Sequence, residues 1–328
     1  MYRCAYRYDE HPDTGWPVVR LSCQEVGTPS HQTIAQVLPT QGCNLFDWEV
    51  DGIEYVSDFG TIKGSPRQLL GTPVLYPTPN RVRDARFDFD GRTFSFPPNN
   101  GRNFIHGLVR NLAWKYDEPT IEEESISLRT HVTIEPEMPA FQLFPIRTTC
   151  VLIYTLKSNR IRFDFAVRNE DERLRLPFGL AIHPYFRVIG PRNSVRLQVP
   201  ARKWMEATNL LPTGKLVDLD ASPADLTTPK PLSELALDDV YWGLSSSLVQ
   251  TIFYDNIGTR ITLAGSDFFT HSVVYTPPDQ PYFCLENQSC STDAHNLFAK
   301  GFEEAAHLTI LKPGETHTSW IEFSVSDQ

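Results

Sequence analysis

Along most of the chain apolar and polar residues alternate one for one, the period of a strand with one buried face. The clearest case is Arg-Phe-Asp-Phe-Asp-Gly-Arg-Thr-Phe-Ser-Phe (86–96), where the alternation continues on both sides of Asp90-Gly91. An Asp-Gly pair between two such runs predicts a tight hairpin with Phe87, Phe89, Phe94 and Phe96 turned inward. Further strands are predicted at 17–23, 32–38, 52–57, 127–134, 148–156, 161–168, 178–184, 194–200, 249–254, 260–264, 272–276, 282–286, 307–311 and 319–325, bounded by Gly, Pro, Asn and Asp. Only 293–306 is helix-prone, and Gly301 interrupts it. Many short strands at this spacing predict an all-β sandwich or barrel. The Pro-rich stretches 73–79 and 223–231 are expected to be loops of one domain, because strand patterning resumes on both sides without a shift in composition.

A hydrophobic content of 41% over 328 residues is enough to fill a large core, and 21% charged residues excludes a disordered chain. The formal net charge of −10, with no clustered Lys and Arg, argues against a nucleic-acid surface. No stretch is apolar enough to span a membrane, and the first residues lack the apolar region of a secretory signal, so a cytoplasmic location is expected. The six cysteines form no C-x-x-C pair, which speaks against a zinc or redox motif; they are expected to be reduced, small core residues.

Candidate chemistry lies in ionisable residues within apolar stretches, where a charge is costly unless paired or used. In Tyr-Phe-Cys-Leu-Glu-Asn-Gln (282–288), alternation puts Glu286 on the face of Tyr282 and Cys284. In Gly-Leu-Ala-Ile-His-Pro-Tyr-Phe (179–186), the same logic groups Gly179, Ala181, His183 and Tyr185, with two small neighbours leaving ligand space beside His183. Pro184 holds His183 in extended geometry. In Asn-Gly-Arg-Asn-Phe-Ile-His-Gly (100–107), Gly107 lets the chain turn and bring His106 to a cleft. Asn80-Arg81 and Asp238 could serve hydroxyl groups. A carboxylate and two imidazoles are the parts needed to move protons near neutral pH.

Asn80-Arg81, Asn100-Gly101 through His106-Gly107, His183-Pro184-Tyr185-Phe186, Asp238-x-x-Tyr241 and Glu286-Asn287-Gln288 occur in the order and approximate spacing of the aldose 1-epimerases, which the chain resembles over nearly its whole length. The resemblance implies one galactose mutarotase-like β-supersandwich domain over 1–328 with an open sugar cleft, and no metal or organic cofactor. It implies Glu286 as general base, His183 as general acid, His106 as a second active-site histidine, and Arg81, Asp238 and Asn80 as substrate-binding residues. The partner would be a small sugar, a free aldohexose foremost, for a monomer or homodimer. A bell-shaped pH profile follows, with its lower limb from Glu286 and its upper limb from His183. The chain departs from the family in lacking a proline before Asp293, in Arg187-Val188 after the His-Pro-Tyr-Phe run, and in Gly-Leu-Val-Arg after His106. Alternatives are a hexose-6-phosphate 1-epimerase gripping phosphate with Arg81, Arg83 and Arg86, and a non-catalytic carbohydrate-binding or sensing protein.

Overall fold

The computed structural model describes residues 1–27, 31–58 and 70–328. Its strands form two large antiparallel sheets, of 13 and 10 strands, with three small two-stranded pieces. The larger sheet begins with the meander Tyr2–Glu10, Pro17–Glu25, Gln32–Leu38, Asn44–Val50 and Ile53–Val56, then continues through Tyr185–Arg187, Tyr282–Gln288, His271–Tyr275 and Asp238–Trp242 to the hairpin Lys203–Thr208 and Leu211–Val217. The smaller sheet is centred on Ile126–Ile134, Thr148–Lys157, Arg160–Asn169, Thr316–Asp327 and Thr259–Gly265.

Alternation sets the packing. In Thr148–Lys157 every second residue is buried, so Cys150, Leu152, Tyr154 and Leu156 face inward while their neighbours stay partly exposed. Phe323 joins the two sheets: its ring lies 5.1 Å from Phe163 within its own sheet, and 5.9 Å from Trp48 and 5.5 Å from Phe186 of the other. All four rings are buried, each contributing about 1.5–3 kcal/mol by leaving water.

The expected hairpin is present as Arg86–Phe89 paired with Arg92–Ser95, with all four phenylalanines buried. The helix-prone run becomes Ala294–Ala299 and Glu303–Ala306, parted around Gly301 at φ +84°. The sequence missed Tyr2–Glu10, Asn44–Val50, Lys203–Thr208, Leu211–Val217 and Asp238–Trp242. Tyr2–Glu10 is a sheet edge whose apolar residues alternate with charged ones, and Asp238–Trp242 opens on two acids, so in neither is the strand marked by an apolar run at its start.

Two expectations fail. The single strand at 178–184 is three short ones, Leu176–Phe178, Ala181–Ile182 and Tyr185–Arg187. The intervening N–H groups go elsewhere: Gly179 donates to the Pro77 carbonyl, His183 to Pro73 and Tyr185 to Gly71. The Pro-rich segment therefore serves as a partner, and Val74–Leu75 within it pairs with Ala181–Ile182. Cys4 and Cys23, expected to be reduced, lie opposite one another on the first two strands and form a disulfide. Cys43, Cys150, Cys284 and Cys290 are free and buried, as expected.

Candidate active site

Glu286 sits on Tyr282–Gln288, which is hydrogen-bonded on one side to Tyr185–Arg187 and on the other to His271–Tyr275. A strand held on both edges fixes the direction of its side chains, and Glu286 is only 2% exposed. The neighbouring row on the same face runs Tyr185, Cys284, Tyr275, Asp238 across four strands. Strand register thus carries Asp238 to the flank of Glu286.

His183 occupies the bend between Ala181–Ile182 and Tyr185–Arg187, where Pro184 and the N–H bond to Pro73 set its backbone. Its ring stacks on Tyr185, with centroids 4.6 Å apart, and its Nε2 lies 3.2 Å from Glu286 Oε1. Gly179 does not provide ligand space as the sequence suggested; a Cβ there would fall onto Cys290 Sγ and Pro79, so the small residue serves packing.

His106 approaches from a separate turn. Phe104–Ile105 pairs with Arg81–Val82, the His106 N–H donates to the Asn80 carbonyl at 3.0 Å, and His106 and Gly107 then both take left-handed conformations, at φ +70° and +64°. A Cβ on Gly107 would collide with the Tyr76 backbone, so only glycine lets the chain turn here. The turn sets the His106 ring edge-on against His183 at 5.1 Å. Arg81 completes the wall. Its Nη2 donates to Asp238 Oδ2 at 3.2 Å and its Nε to Asn100 Oδ1 at 3.2 Å, while Asn80 Oδ1 accepts from the Arg81 backbone N–H at 2.8 Å. On the Arg81–Asp238 side lies a small recess lined by Asn80, Arg81, Met205, Pro212, Asp238 and Val240.

All the candidate residues therefore converge, although they come from widely separated segments. Tyr241 does not join them; it is buried and its hydroxyl donates to the Ala224 carbonyl. The proposed phosphate grip is not assembled either. Arg81 is held by Asp238, Arg83 by Asp293 at 3.3 Å and Arg86 by Asp88 at 3.5 Å. Sequence reasoning missed Arg110, whose charge is felt at His106, His183 and Tyr185. The available signal was its place four positions after His106, where it registered only as a departure from the family.

Burial governs the electrostatics. It pushes the Glu286 carboxyl well above the usual range, the Asp238 charge pushes the same way, and Arg81 partly offsets both. Burial takes His183 down to about 3, with Arg110 and Arg81 adding to the effect, and takes His106 well below its ordinary value. Both shifts favour uncharged forms, so the pair holds one proton in total, as neutral imidazole with carboxylic acid or as imidazolium with carboxylate. With Glu286 raised and His183 lowered by burial, the order of the two limbs expected from the sequence reverses. Among the described residues the Nδ1 atoms of His106 and His183 are buried without a hydrogen-bond partner. No three His, Cys, Asp or Glu side chains among those residues converge as a metal site.

An antiparallel β-sandwich carrying a buried carboxyl–imidazole pair flanked by an arginine–aspartate pair is a scaffold for proton transfer. The sequence matches the aldose 1-epimerase family over residues 28–324, and the chain belongs to that family, whose members are enzymes of the isomerase kind. Galactose mutarotase from Bos taurus is 24% identical over 322 residues, covering 87% of this chain and 90% of its own. Among solved structures, a galactose mutarotase-like protein from Clostridium acetobutylicum superposes with a TM-score of 0.84 at 19% identity, covering 99% of both chains. Galactose 1-epimerase from Lactobacillus acidophilus does so at 0.76 and 15% identity, covering 100% of this chain and 99% of its own. These place the fold as galactose mutarotase-like. Among the described residues no helix is long and apolar enough to cross a membrane.

Proposed function

We propose that this protein interconverts the α- and β-anomers of an aldohexose by opening and reclosing the pyranose ring. The observation that carries this reading is the buried contact of 3.2 Å between His183 Nε2 and Glu286 Oε1, flanked by the Arg81–Asp238 pair, whose groups suit ring hydroxyls. In its ion-pair form Glu286 removes the proton from the C1 hydroxyl while His183 delivers one to the ring oxygen O5. The C1–O5 electron pair leaves with O5, and the C1–O bond becomes the aldehyde. Rotation about C1–C2 presents the other face of the carbonyl. Closure then runs the transfers backwards: His183 takes the proton of the C5 hydroxyl and Glu286 returns one to the carbonyl oxygen.

Ring opening leaves Glu286 protonated and His183 neutral, which is the form burial favours. The site thus stabilises the open-chain intermediate relative to the charged starting pair. His106, edge-on to His183, supplies a second imidazole on the O5 side. Arg81 and Asp238 hold each other and hold ring hydroxyls, with Asn80 fixing the Arg81 backbone. In this reading the chain acts as one domain over 1–328, without metal or organic cofactor, in the cytoplasm, as a monomer or homodimer.

The test is the relaxation of freshly dissolved α-D-glucose and α-D-galactose, followed by polarimetry in weak buffer or by NMR exchange. Catalytic protein should bring both to anomeric equilibrium many times faster than buffer. An unchanged rate for both sugars at stoichiometric protein would count against the epimerase reading and favour a sugar-binding role.

A further inference from the structure

Arg81 reaches the site on a long side chain from a two-residue strand, and what it offers a sugar depends on which of its N–H groups are already taken. A guanidinium carries five N–H donors, one on Nε and two on each Nη. All three nitrogens are engaged. Nη2 donates to Asp238 Oδ2 at 3.2 Å, Nη1 to Asn80 Oδ1 at 3.3 Å and Nε to Asn100 Oδ1 at 3.2 Å. Each bond uses one donor, which leaves one N–H on each Nη for a ligand hydroxyl. Asp238 and Asn80 bind the nitrogens that keep a free donor, whereas Asn100 binds the one that keeps none. Asn100 therefore acts on the direction of the guanidinium and not on its supply of donors.

The turn that carries Asn100 places it for this. Asn100 and Asn103 exchange backbone hydrogen bonds at 3.1 and 3.0 Å across Gly101-Arg102, with Gly101 left-handed at φ +61°. The Asn99 amide closes the same loop on Ile105, accepting its N–H at 2.8 Å and donating to its carbonyl at 3.2 Å. Asn103 Oδ1 accepts the Asp84 N–H at 3.1 Å, and Ile105 pairs with Arg81 itself. The turn is thus built against the strand of the arginine it holds, by backbone groups and the other two asparagines. None of these bonds uses the Asn100 side chain. Among the described residues its hydrogen bond to Arg81 is its only one, although the residue is exposed. Because Nε can only donate, the amide oxygen and not its NH2 must face the arginine.

We infer that Asn100 is a positioning residue of the sugar site, whose amide oxygen fixes the Arg81 guanidinium so that its two free Nη donors meet ring hydroxyls. The inference rests on the proposed function, in which Arg81 and Asp238 hold hydroxyls while Glu286 and His183 move protons. Without the brace, a long and flexible side chain must be ordered each time a sugar binds; with it, the ordering is already done. The loss should therefore fall on binding. Arg81 touches no proton in transfer, and its bonds to hydroxyls are the same in the ground and transition states.

The experiment measures kcat and KM for anomer exchange of D-glucose and D-galactose by NMR in the wild type, Asn100→Ala, Asn100→Asp, Arg81→Ala and the double variant Asn100→Ala/Arg81→Ala. Asn100→Ala should raise KM roughly five- to tenfold and leave kcat within about threefold. Asn100→Asp keeps an acceptor for the Nε–H and should return KM to within about twofold of wild type. In the Arg81→Ala background the Asn100 substitution should change nothing further, because the group it orients is gone; where turnover there is too slow, sugar dissociation constants from NMR titration complete the cycle. Should Asn100→Ala fail to fold, hydrogen exchange in the wild type replaces it: the Arg81 Nε–H should exchange with solvent more slowly than that of the exposed Arg92, and equal rates would overturn the inference. A KM unchanged by Asn100→Ala, a KM raised as much by the aspartate, or full additivity in the double variant would also overturn it and leave the epimerase reading standing. A wild type that accelerates neither sugar would remove the epimerase reading and this inference together.

Discussion

Replacing Glu286 by glutamine separates chemistry from folding more cleanly than any other substitution in the site. The amide nearly matches the carboxyl in volume, so a side chain that is 2% exposed keeps its packing, while the group that accepts the C1 proton is lost. General-base assistance is worth about 10²–10⁴ in rate, equivalent to roughly 2.7–5.5 kcal/mol of barrier. Stability should move the other way. Burial raises the folded-state pKa of Glu286, so the wild type loses stability as pH rises from the ordinary carboxylate value through the raised one. The amide has no such loss, so the melting temperature of Glu286→Gln should equal or exceed that of wild type at pH 8, and the difference should shrink toward pH 4. Polarimetric anomer relaxation and a thermal melt on the same preparation give both quantities. Relaxation within about threefold of wild type would refute the assignment of Glu286 as base. A slow variant that also melts lower at pH 8 would mean the substitution disrupted the site.

The remaining predictions concern protons and backbone. In the free enzyme kcat/KM should be flat through neutral pH, with the acid limb set by a second proton on the His183–Glu286 pair and the alkaline limb by loss of its only one; a profile centred below pH 5 would contradict this. His295 is buried against Phe87 at 4.0 Å and lowered to about 4, so neutral His295 supports the fold above pH 6.5 and that support is lost as pH falls toward 4. Relative to wild type, His295→Gln should gain up to about 1.4 kcal/mol per pH unit across that window, read from urea unfolding at each pH. Gly107→Ala must place a Cβ on the Tyr76 backbone from a left-handed conformation, so it should lower stability by at least ~1 kcal/mol and slow mutarotation by displacing His106; unchanged kinetics would show that this turn does not position the histidine.

Much of this was legible in the sequence because it depends on local period. The alternation of Thr148–Lys157 and the Asp90-Gly91 turn specify their structures with little outside help. Glu286 was readable for the same reason, lying in a regular strand whose faces alternate. The segment around His183 was not, because its N–H groups pair with a proline-rich stretch about a hundred residues earlier, and nothing local signals that partner. Arg110 illustrates the same limit for charge. A sequence supplies the guanidinium but not its surroundings: Asp238 and Asp293 are taken by Arg81 and Arg83.

The convergence of Asn80, His106, His183, Asp238 and Glu286 from distant segments has a kinetic consequence. No hairpin or contiguous fragment contains the site, so it comes into being only when strands from all three thirds of the chain have paired. Closing such long loops precedes any reward from the contacts, which makes folding slow. Regain of mutarotation during refolding should therefore trail the return of secondary structure and coincide with the final docking of Tyr282–Gln288 between Tyr185–Arg187 and His271–Tyr275, making catalysis itself a reporter of complete assembly.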